Sequence, residues 1–497
     1  MAACRRWCRF DFVWWFNMQF GLRFGFGTDS THGALQTVGD ARQQLQSPVR
    51  PVGIRSLKTM ATAIEPWPES MMFDLDARMA ALRHDRKRSD EVDASADMSQ
   101  KEKDAVRRDL RSRDHRFIDQ LHLAHQGIYG TDPVRQRLIH FWFNHFTIGG
   151  GRESNFMNGH VIQHVIGTGI DGRFADLAYD ITRHPGMLSY LDNIYNVGEK
   201  SQRARKLGKS VQIGLNDNLA RELMELHTTS PSIGYTEADI RQAAKILSGW
   251  GDIFDNPKTV KNFKDAGITD FHNAYFENKA EPGKKTVMGK TYPAGPEALQ
   301  LLVEDLAASE HTARHLCHKL CVHFIADNPS PQDVAHLQSV WRDSDGHLPT
   351  VHDALLERAA ASSQPKFQWP LTWLITVLRM SQANMIQGFD DLHRELLSHG
   401  GEYRVEKLYR EIGQDFWSQR QPDGYSVLGV DWISPEHFER RMRLAAMIFD
   451  HGRPQRRADE LMTLLDVSSA TRALVDKGSS AKARFILLCC SQEFMGA

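Results

Sequence analysis

Apolar and polar residues follow a helical period along most of the chain. Between residues 116 and 250, and again between 295 and 391, apolar residues recur every three or four positions, as in helices that pack one face against a core. The segment LIHFWFNHF (138–146) is apolar on nearly every side, which predicts a fully buried helix. The pattern predicts a mainly α fold: a large multi-helix globular domain with long irregular loops and at most one small hairpin.

Helix-start signals support two of the predicted helices. The segment LNDNLARELMELHTT carries the clearest helical pattern in the chain, and Asn216 or Asp217 is its expected N-cap. The next segment, YTEADIRQAAKILSGW, begins with Thr236 and Asp239 at the spacing of a capping box. Both segments are therefore predicted to begin at defined residues.

Three stretches interrupt the helical pattern. Residues 84–115 are strongly charged with mixed signs, which indicates a solvated helix or a partly disordered linker. Residues 251–293 are predicted to be an irregular insertion, in which KKTVMGKTY forms a short strand or hairpin. Residues 413–435 are predicted to form an irregular loop with several aromatic residues. Residues 1–19 are interpreted as an N-terminal extension or a mis-assigned start.

The composition is that of a globular protein, with 41% hydrophobic and 25% charged residues among 497. Length alone predicts about two to three domains. The formal net charge is −1, from 61 basic and 62 acidic residues, so no overall field favours nucleic acid. No apolar run approaches the roughly 18 to 20 residues that a membrane-spanning helix needs. We therefore expect neither a nucleic-acid partner nor a membrane span.

The cysteines and the N-terminus bear on the cellular compartment. Six cysteines are too few for a disulfide framework in a chain of this length, which fits a reducing compartment but also a large exported protein. The segment MAACRRWCRFDFVWWF has a basic pair and an apolar stretch, but Asp11 breaks the stretch and no small-residue cleavage site follows. Without a clear signal peptide the expected location is the cytoplasm, or the periplasm or exterior if the start is mis-assigned.

Three polar side chains lie on the predicted buried helix: His140, Asn144 and His145. At about 100° per residue, His140 and Asn144 share one face of the helix, whereas His145 lies about 140° from His140. A buried polar group without a partner costs roughly 1–3 kcal/mol, so each side chain is expected to be hydrogen-bonded. Two interpretations stay open, a structural hydrogen-bond network and a metal or catalytic role.

A second set of ionisable side chains lies on the segment ARELMELH. Glu222 and Glu225 are three residues apart and share a helix face, and Arg221 is placed to form an ion pair with Glu225. Paired carboxylates on a buried face bind metals or act as an acid or base. Their spacing partly matches the Glu-x-x-His pattern of helical di-metal proteins. The alternative is Arg–Glu pairing that ties this helix to a neighbour.

The two helices together supply residues for one cavity in a helical bundle. The candidate catalytic residues are His145, Glu222, Glu225 and Asp192. The candidate metal ligands are His140, Asn144, His145, Glu222, Glu225 and His227. A mixed set of imidazoles and carboxylates suits a divalent metal such as zinc, manganese or iron. The same residues are equally what a large helical protein would use to organise its core.

A third cluster, HLCHKLCVHF, places Cys317 and Cys321 one helical turn apart with His318 beside them. The spacing is compatible with zinc, but we expect both cysteines to act as small buried hydrophobes. Motifs for phosphate binding, for dinucleotide binding and for serine hydrolases are absent from the sequence.

Eight segments share their content and their order with a known bacterial family. They are FWFNHFT (141–147), RHPGMLSYLDN (183–193), NDNLARELMELHT (216–228), GYTEADIRQAAKILSGW (234–250), KTVMGKTY (285–292), HKLCVHFIADNP (318–329), PDGY (422–425) and SQEF (491–494). Over nearly the whole chain the sequence resembles the family catalogued as domain of unknown function 1800. The block ARELMELHT, followed by GYT and GW, is the most specific part of the resemblance.

The resemblance implies a single, mostly helical family domain over residues 20–497, and it implies no particular reaction. Genes for family members often lie beside genes for sulfatase-like or phosphatase-like proteins, so the product of such a gene is the expected protein partner. Two positions depart from the family pattern. Ala280 stands where relatives often carry a histidine, and Gly167 lies near the place of an arginine.

Two functions follow from these observations. The first is a scaffold or accessory protein that contains a buried His/Asn/Glu network and binds another protein, which the lack of a catalytic motif and the aromatic loop favour. The second is a metal-dependent hydrolase or oxidoreductase with its site between the FWFNHF and ARELMELH helices, which the density of ligand-type residues favours.

Overall fold

Helices form most of the N-terminal half, as the hydrophobic pattern predicts. The computed structural model describes residues 20–27, 35–46, 67, 69–108, 111–150, 154, 156–207, 214–251, 274–383, 405–419 and 421–496. The α-helices up to residue 250 are Phe20–Phe24, Val38–Gln46, Leu75–Ala94, Gln100–Arg108, Arg111–Tyr129, Pro133–His145, Asn158–His160, Gly167–Gly169, Phe174–Thr182, Pro185–Tyr190, Gln202–Leu207, Asn218–Glu222 and Glu237–Leu247.

Helices continue through the C-terminal half. They are Glu297–Ala308, Glu310–Phe324, Pro331–Asp343, Leu348–Ala361, Pro370–Ser381, Val405–Glu411, Pro435–Gly452, Ala458–Leu464, Ser469–Val475, Ala481–Cys489 and Gln492–Met495. Short 3-10 turns cover Glu69–Met71, Asn193–Tyr195, Pro231–Ile233 and Gly429–Trp432, and π-helical turns cover Val161–Ile166 and Leu223–His227. The predicted mainly α fold is confirmed.

The segment KTVMGKTY forms the predicted hairpin. Strand Lys285–Val287 pairs antiparallel with Lys290–Tyr292, and this is the one sheet within the described residues. Met288 and Gly289 connect the strands with φ of 48° and 79°. Two positive φ values are typical of the tight turns whose twist matches a hairpin. Residues 252–273 of the predicted insertion lie outside the described residues.

Several predicted helix starts are also confirmed. The Thr236 side chain accepts a hydrogen bond from the backbone of Asp239, and the Asp239 side chain accepts one from Thr236, which completes the capping box. Asp217 occupies the N-cap of the helix Asn218–Glu222 without a side-chain hydrogen bond. Instead, Asn216 Oδ1 accepts from the backbone N–H of Asn218 (3.0 Å). The charged stretch 84–115 contains the helix Gln100–Arg108 and overlaps the helices Leu75–Ala94 and Arg111–Tyr129, which agrees with a solvated helix.

One hydrophobic core draws on residues from both ends of the described chain. It includes Phe20 and Phe24 near the start and Phe494 near the end. The Arg23 guanidinium donates to the carbonyl of Ile325 (3.3 Å), so the N-terminal helix is tied to a distant part of the fold. A second, smaller cluster of buried residues includes Met79, Leu82 and Phe156. One domain over residues 20–497 stays a prediction. The predicted extension, residues 1–19, lies outside the described residues.

A buried ion pair joins the charged helix Leu75–Ala94 to the helix Arg111–Tyr129. The two terminal nitrogens of the Arg78 guanidinium donate to the Asp119 carboxylate, at 2.5 and 2.7 Å, and both side chains are buried. Gly159 allows this approach, because a Cβ at that position would lie 2.1 Å from Cγ of Asp119.

None of the described helices is both long enough and apolar enough to cross a membrane.

Candidate functional site

The helix Pro133–His145 lies at the centre of the candidate site, and all 13 of its residues are buried. Pro133 is its first residue, where the missing N–H of proline has no helical partner to lose. The indole N–H of Trp142 donates to Nε2 of His352 (3.0 Å), so even the polar edge of this tryptophan has a partner. The predicted buried helix is confirmed, and its polar side chains depend on neighbouring segments for partners.

Asn144 fastens a distant loop to this helix. Its Nδ2 donates to the carbonyl of Tyr425 (2.9 Å), and its Oδ1 accepts from the backbone N–H of Tyr425 (2.8 Å) and from Nε2 of Gln419 (3.2 Å). Gly424 has a φ of 78°, and a Cβ there would lie 2.3 Å from the carbonyl oxygen of Asn144. Residues 421–433, called the 421–433 loop below, therefore begin in direct contact with the buried helix.

His145 is held in one tautomer by two hydrogen bonds. Its Nε2 lies 3.1 Å from the carbonyl oxygen of His227, which can only accept, so Nε2 carries the proton. Its Nδ1 is then an acceptor, and Lys319 Nζ donates to it at 3.1 Å. Burial and the nearby charge of Lys319 hold the pKa of His145 well below its usual value. The imidazole is therefore neutral at neutral pH.

The ARELMELH segment changes helix type within the site. It is α-helical over Asn218–Glu222 and π-helical over Leu223–His227. The hydroxyls of Thr228 and Thr229 donate to the carbonyls of Leu223 (2.6 Å) and Met224 (2.8 Å), which end the helix. The π turn presents the His227 carbonyl to His145. Such turns are frequent at functional sites.

Lys319 comes from the helix Glu310–Phe324 and was not predicted from the sequence as a site residue. Burial lowers the pKa of its ammonium to about 8, and the charge of Asp423 offsets part of that effect. One turn earlier on the same helix, His315 Nε2 lies 3.2 Å from the carbonyl oxygen of Leu226. The signal in the sequence was a lysine inside the otherwise apolar pattern LCHKLCVHF.

Two partly buried groups near Asp423, whose charge also acts on Lys319, lack a partner within the described part of the chain. The Glu222 carboxylate makes no hydrogen bond or ion pair there, and burial raises its pKa, as do the charges of Glu225 and Asp423. The Tyr190 hydroxyl also has no hydrogen-bond partner there. Burial, together with Glu222 and Asp423, raises the pKa of Tyr190 to about 12. These groups are available to bind a ligand.

Glu225, in contrast, has two hydrogen-bond partners. It accepts a hydrogen bond from Arg221 at 3.1 Å, which confirms the predicted ion pair, and another from the hydroxyl of Tyr235. Arg221 also binds Glu237 on the next helix (2.8 Å). The pairing ties the helix Asn218–Glu222 to its neighbour, as the structural alternative anticipated.

The structure does not bring Asp192, His140 or the ring of His227 into this cluster as ligands. Asp192 is exposed and adopts a left-handed conformation before the turn Asn193–Tyr195. His140 is buried between the rings of Phe26 and Phe416, at 5.7 and 5.5 Å between ring centres. Neither ring nitrogen of His140 or His227 has a hydrogen-bond partner among the described residues, which contradicts the expectation that the buried His140 is hydrogen-bonded.

No metal-binding arrangement is found among the six candidate ligands. Within the described ranges, no group of three or more His, Cys, Asp or Glu side chains is placed to hold a metal ion. The metal assignment therefore stays a prediction from sequence, and we build no site on it. Cys317 and Cys321 are both buried, and burial raises the pKa of both thiols, as expected for small core residues.

A separate groove of about 650 Å³ lies near the start of the helix Asn218–Glu222. Its lining includes Tyr195, Arg203, Asn216 and Lys279, and none of the candidate catalytic residues. The groove is therefore distinct from the cluster around His145.

Five of the eight recognised segments contribute a side chain to the cluster around His145 and Lys319. A family model described as "Protein of unknown function (DUF1800)" matches residues 21–495. The chain belongs to this family. No curated protein and no solved structure matches it. The cluster is therefore assembled from the segments by which the family is recognised, which makes it the candidate functional site of this DUF1800 member.

The two departures from the family pattern lie outside these contacts. Gly167 belongs to the helical turn Gly167–Gly169, where its carbonyl accepts from Arg135 (3.2 Å). Ala280 donates its backbone N–H to the carbonyl of Phe276 (3.2 Å). Neither residue makes any of the hydrogen bonds that define the cluster.

Because His140 is buried, we expect this DUF1800 member to lose stability in mild acid. Burial, followed by the charge of Arg137, lowers the pKa of His140 to about 3. In the unfolded chain the His140 imidazole takes up a proton below about pH 6.5, whereas in the folded protein it stays neutral down to about pH 3. The contribution of His140 to stability is therefore complete above about pH 6.5 and falls as the pH drops toward 3. Between pH 7 and 5 this one group removes about 2 kcal/mol from the free energy of unfolding.

Replacing His140 by phenylalanine is therefore expected to reduce the loss of stability between pH 7 and pH 5. Urea unfolding at the two pH values measures the difference. The matched control is His318→Gln, at an exposed position on the helix Glu310–Phe324. If both variants keep the acid dependence of the parent protein, His140 does not titrate as inferred.

Proposed function

We propose that the protein is a scaffold or accessory protein that binds another protein through the 421–433 loop. The observation that carries the proposal is the exposure of three large apolar side chains within six residues. Leu428, Val430 and Ile433 are 37%, 67% and 52% exposed. Single exposed apolar residues are ordinary on protein surfaces, but a group of them marks an interaction site.

Hydrogen bonds hold the backbone of the loop in place beneath these side chains. The carbonyl of Ser426 accepts from the indoles of Trp369 and Trp432, each at 2.9 Å. The backbone N–H of Gly429 donates to Asp327 Oδ2 (2.8 Å). Lys366 donates to the carbonyl of Val427 (2.6 Å). An ordered loop loses less conformational entropy on binding than a flexible loop does.

The fixed backbone also explains why the three side chains stay exposed. Leu428 and Val430 flank the buried Gly429, and Ile433 follows the buried Trp432. Because these neighbours are buried, the loop cannot rotate to cover the three exposed side chains. Water-exposed apolar surface is stabilised by contact with an apolar surface on a partner, at about 25 cal/mol per Å² buried. The proposed partner is therefore a protein with a complementary apolar face, and a sulfatase-like or phosphatase-like protein encoded nearby is the first to test.

The test uses the purified full chain and the purified product of such a neighbouring gene in an isothermal titration. We expect saturable binding, and we expect Val430→Asp combined with Ile433→Asp to weaken it at least tenfold, because two charges would be placed against an apolar surface. The melting temperature should stay unchanged, since both side chains already face solvent.

Leu301→Asp is the matched control. Leu301 is 42% exposed on the helix Glu297–Ala308, away from the loop in sequence, and its replacement should leave binding intact. Equal binding by the loop variant and the parent protein would refute the loop as the interface. Concentration-dependent dimerisation of the parent that the loop variant abolishes would also refute the proposal, because the occupant would then be a second copy of the chain.

A further inference from the structure

The half-buried Lys319 differs from the buried lysines Lys366 and Lys285 in the partner that its ammonium contacts. Lys366 forms an ion pair with Asp327 and also donates to a carbonyl, and Lys285 donates to the carbonyl of Glu281. Lys319 makes one hydrogen bond within the described residues, to the neutral imidazole of His145. An imidazole does not balance a positive charge, so this amine is held in its site without a contacting counter-ion.

We propose that Lys319 is a nucleophilic amine that forms an imine with a small, neutral, polyhydroxylated aldehyde or ketone, with His145 as the proton acceptor. The proposal goes beyond protein binding through the 421–433 loop and does not depend on it. Its basis is the pair Lys319 Nζ and His145 Nδ1, 3.1 Å apart, with the imidazole oriented by the carbonyl of His227. A nucleophile, a base within hydrogen-bond reach and a third group that orients the base form the usual arrangement for covalent catalysis.

The proton balance of the step follows from the tautomer of His145. The neutral amine attacks the carbonyl carbon, and the attacking nitrogen passes a proton to Nδ1 of His145. His145 returns that proton to the alkoxide oxygen, which gives the carbinolamine. The carbinolamine then passes its remaining N–H proton through Nδ1 of His145 to its hydroxyl group, which leaves as water as the C=N double bond forms. The products are the imine on Lys319 and one water molecule, and His145 returns to its neutral form. No oxidant or reductant is required.

A carbonyl compound fits this amine better than an acyl donor does. An acyl group transferred to lysine gives an amide, which is stable and would leave Lys319 blocked, whereas an imine is hydrolysed readily. Burial also favours the reaction, because it lowers the pKa of Lys319 to about 8. About a tenth of the amine is then neutral at pH 7, on the order of a hundred times more than for an ordinary lysine.

The surroundings of Lys319 define the class of carbonyl compound. The unpartnered Tyr190 hydroxyl and Glu222 carboxylate, together with Asp423, offer a donor and several acceptors for hydroxyl groups. The carboxylates repel an anionic substrate. The one described cation that lowers the pKa of Glu222 is Arg221, which is already paired with Glu225 and Glu237. A neutral molecule with several hydroxyls therefore fits best.

The experiment treats the full chain with glyceraldehyde and sodium cyanoborohydride, which reduces an imine to a stable secondary amine. Peptide mass spectrometry then measures the labelling rate at each lysine between pH 6 and 10. Lys319 should be labelled at least tenfold faster than exposed Lys87 at pH 7, with a rate that levels off above about pH 8. Lys366 is the buried control, and it should be labelled slowly because Asp327 holds its ammonium.

One variant and a second probe sharpen the result. His145→Gln should slow labelling of Lys319 by roughly a hundredfold, since the proton acceptor is lost. Pyruvate, an anionic carbonyl compound, should label Lys319 much more slowly than glyceraldehyde does. The decisive peptide map uses the unchanged protein, so misfolding of a variant does not affect it. Labelling of Lys319 no faster than Lys87, or equal labelling by both probes, would overturn the proposal.

Discussion

Replacing Arg78 by methionine is expected to lower the free energy of unfolding by about 3–5 kcal/mol. The methionine removes both donors to Asp119 and leaves a buried carboxylate without a counter-charge. It also leaves the carbonyls of Phe73 and Phe156 without the donors that Arg78 supplies, at 3.0 and 3.1 Å. Urea unfolding followed by circular dichroism measures the loss.

A second substitution separates the buried charge from the lost packing. In the double variant Arg78→Met with Asp119→Asn, the carboxylate is replaced by an uncharged group of the same shape, so much of the stability should return. Arg443→Met is the control, because Arg443 and its i,i+4 partner Glu439 are both exposed and such pairs contribute about 0–1 kcal/mol. If the double variant is as unstable as Arg78→Met, the charge of Asp119 is not the cause.

Asn144→Ala is expected to have the second-largest effect, a loss of about 2–4 kcal/mol. It leaves the backbone N–H and carbonyl of Tyr425 without partners, and a buried unsatisfied group costs roughly 1–3 kcal/mol. Because these bonds hold the start of the 421–433 loop, hydrogen–deuterium exchange should rise there more than in the helix Pro133–His145. Thermal unfolding and exchange mass spectrometry measure the two effects.

Asn218→Ala provides the matched control for this prediction. Asn218 is exposed on the first turn of its helix, and its replacement should change the melting temperature little. An Asn144→Ala protein with normal exchange in residues 421–433 would mean that other contacts, such as those of Trp369 and Asp327, hold the loop without Asn144.

The helical architecture could be predicted from the sequence because it depends on local periodicity. The buried helix, the capping box at Thr236 and the hairpin at 285–292 follow from residues that are close in sequence. The π turn over Leu223–His227 could not be predicted in this way. Its apolar spacing is compatible with an ordinary α-helix, and the change of type depends on carbonyl contacts with Thr228, Thr229 and His145.

The candidate site was only partly predictable for a related reason. Asn144, His145 and the Arg221–Glu225 pair were named from single helices, where spacing gives the shared face. Lys319 and Asp423 were missed, because nothing local shows that Lys319 lies beside His145 or that Asp423 lies near Lys319. Asp192 was named for its chemistry, but the chain turns there so that Asn193 enters the core and Asp192 faces solvent.

The tie between Asn144 and Tyr425 joins positions 281 residues apart, and it affects how the protein is made. During synthesis the helix Pro133–His145 leaves the ribosome long before the 421–433 loop exists, so Asn144 and Gln419 cannot yet meet. Contacts of such wide separation close late in folding. Until then the apolar helix Pro133–His145 stays exposed in the growing chain. We therefore expect the protein to need chaperones until the last quarter of the chain has been translated.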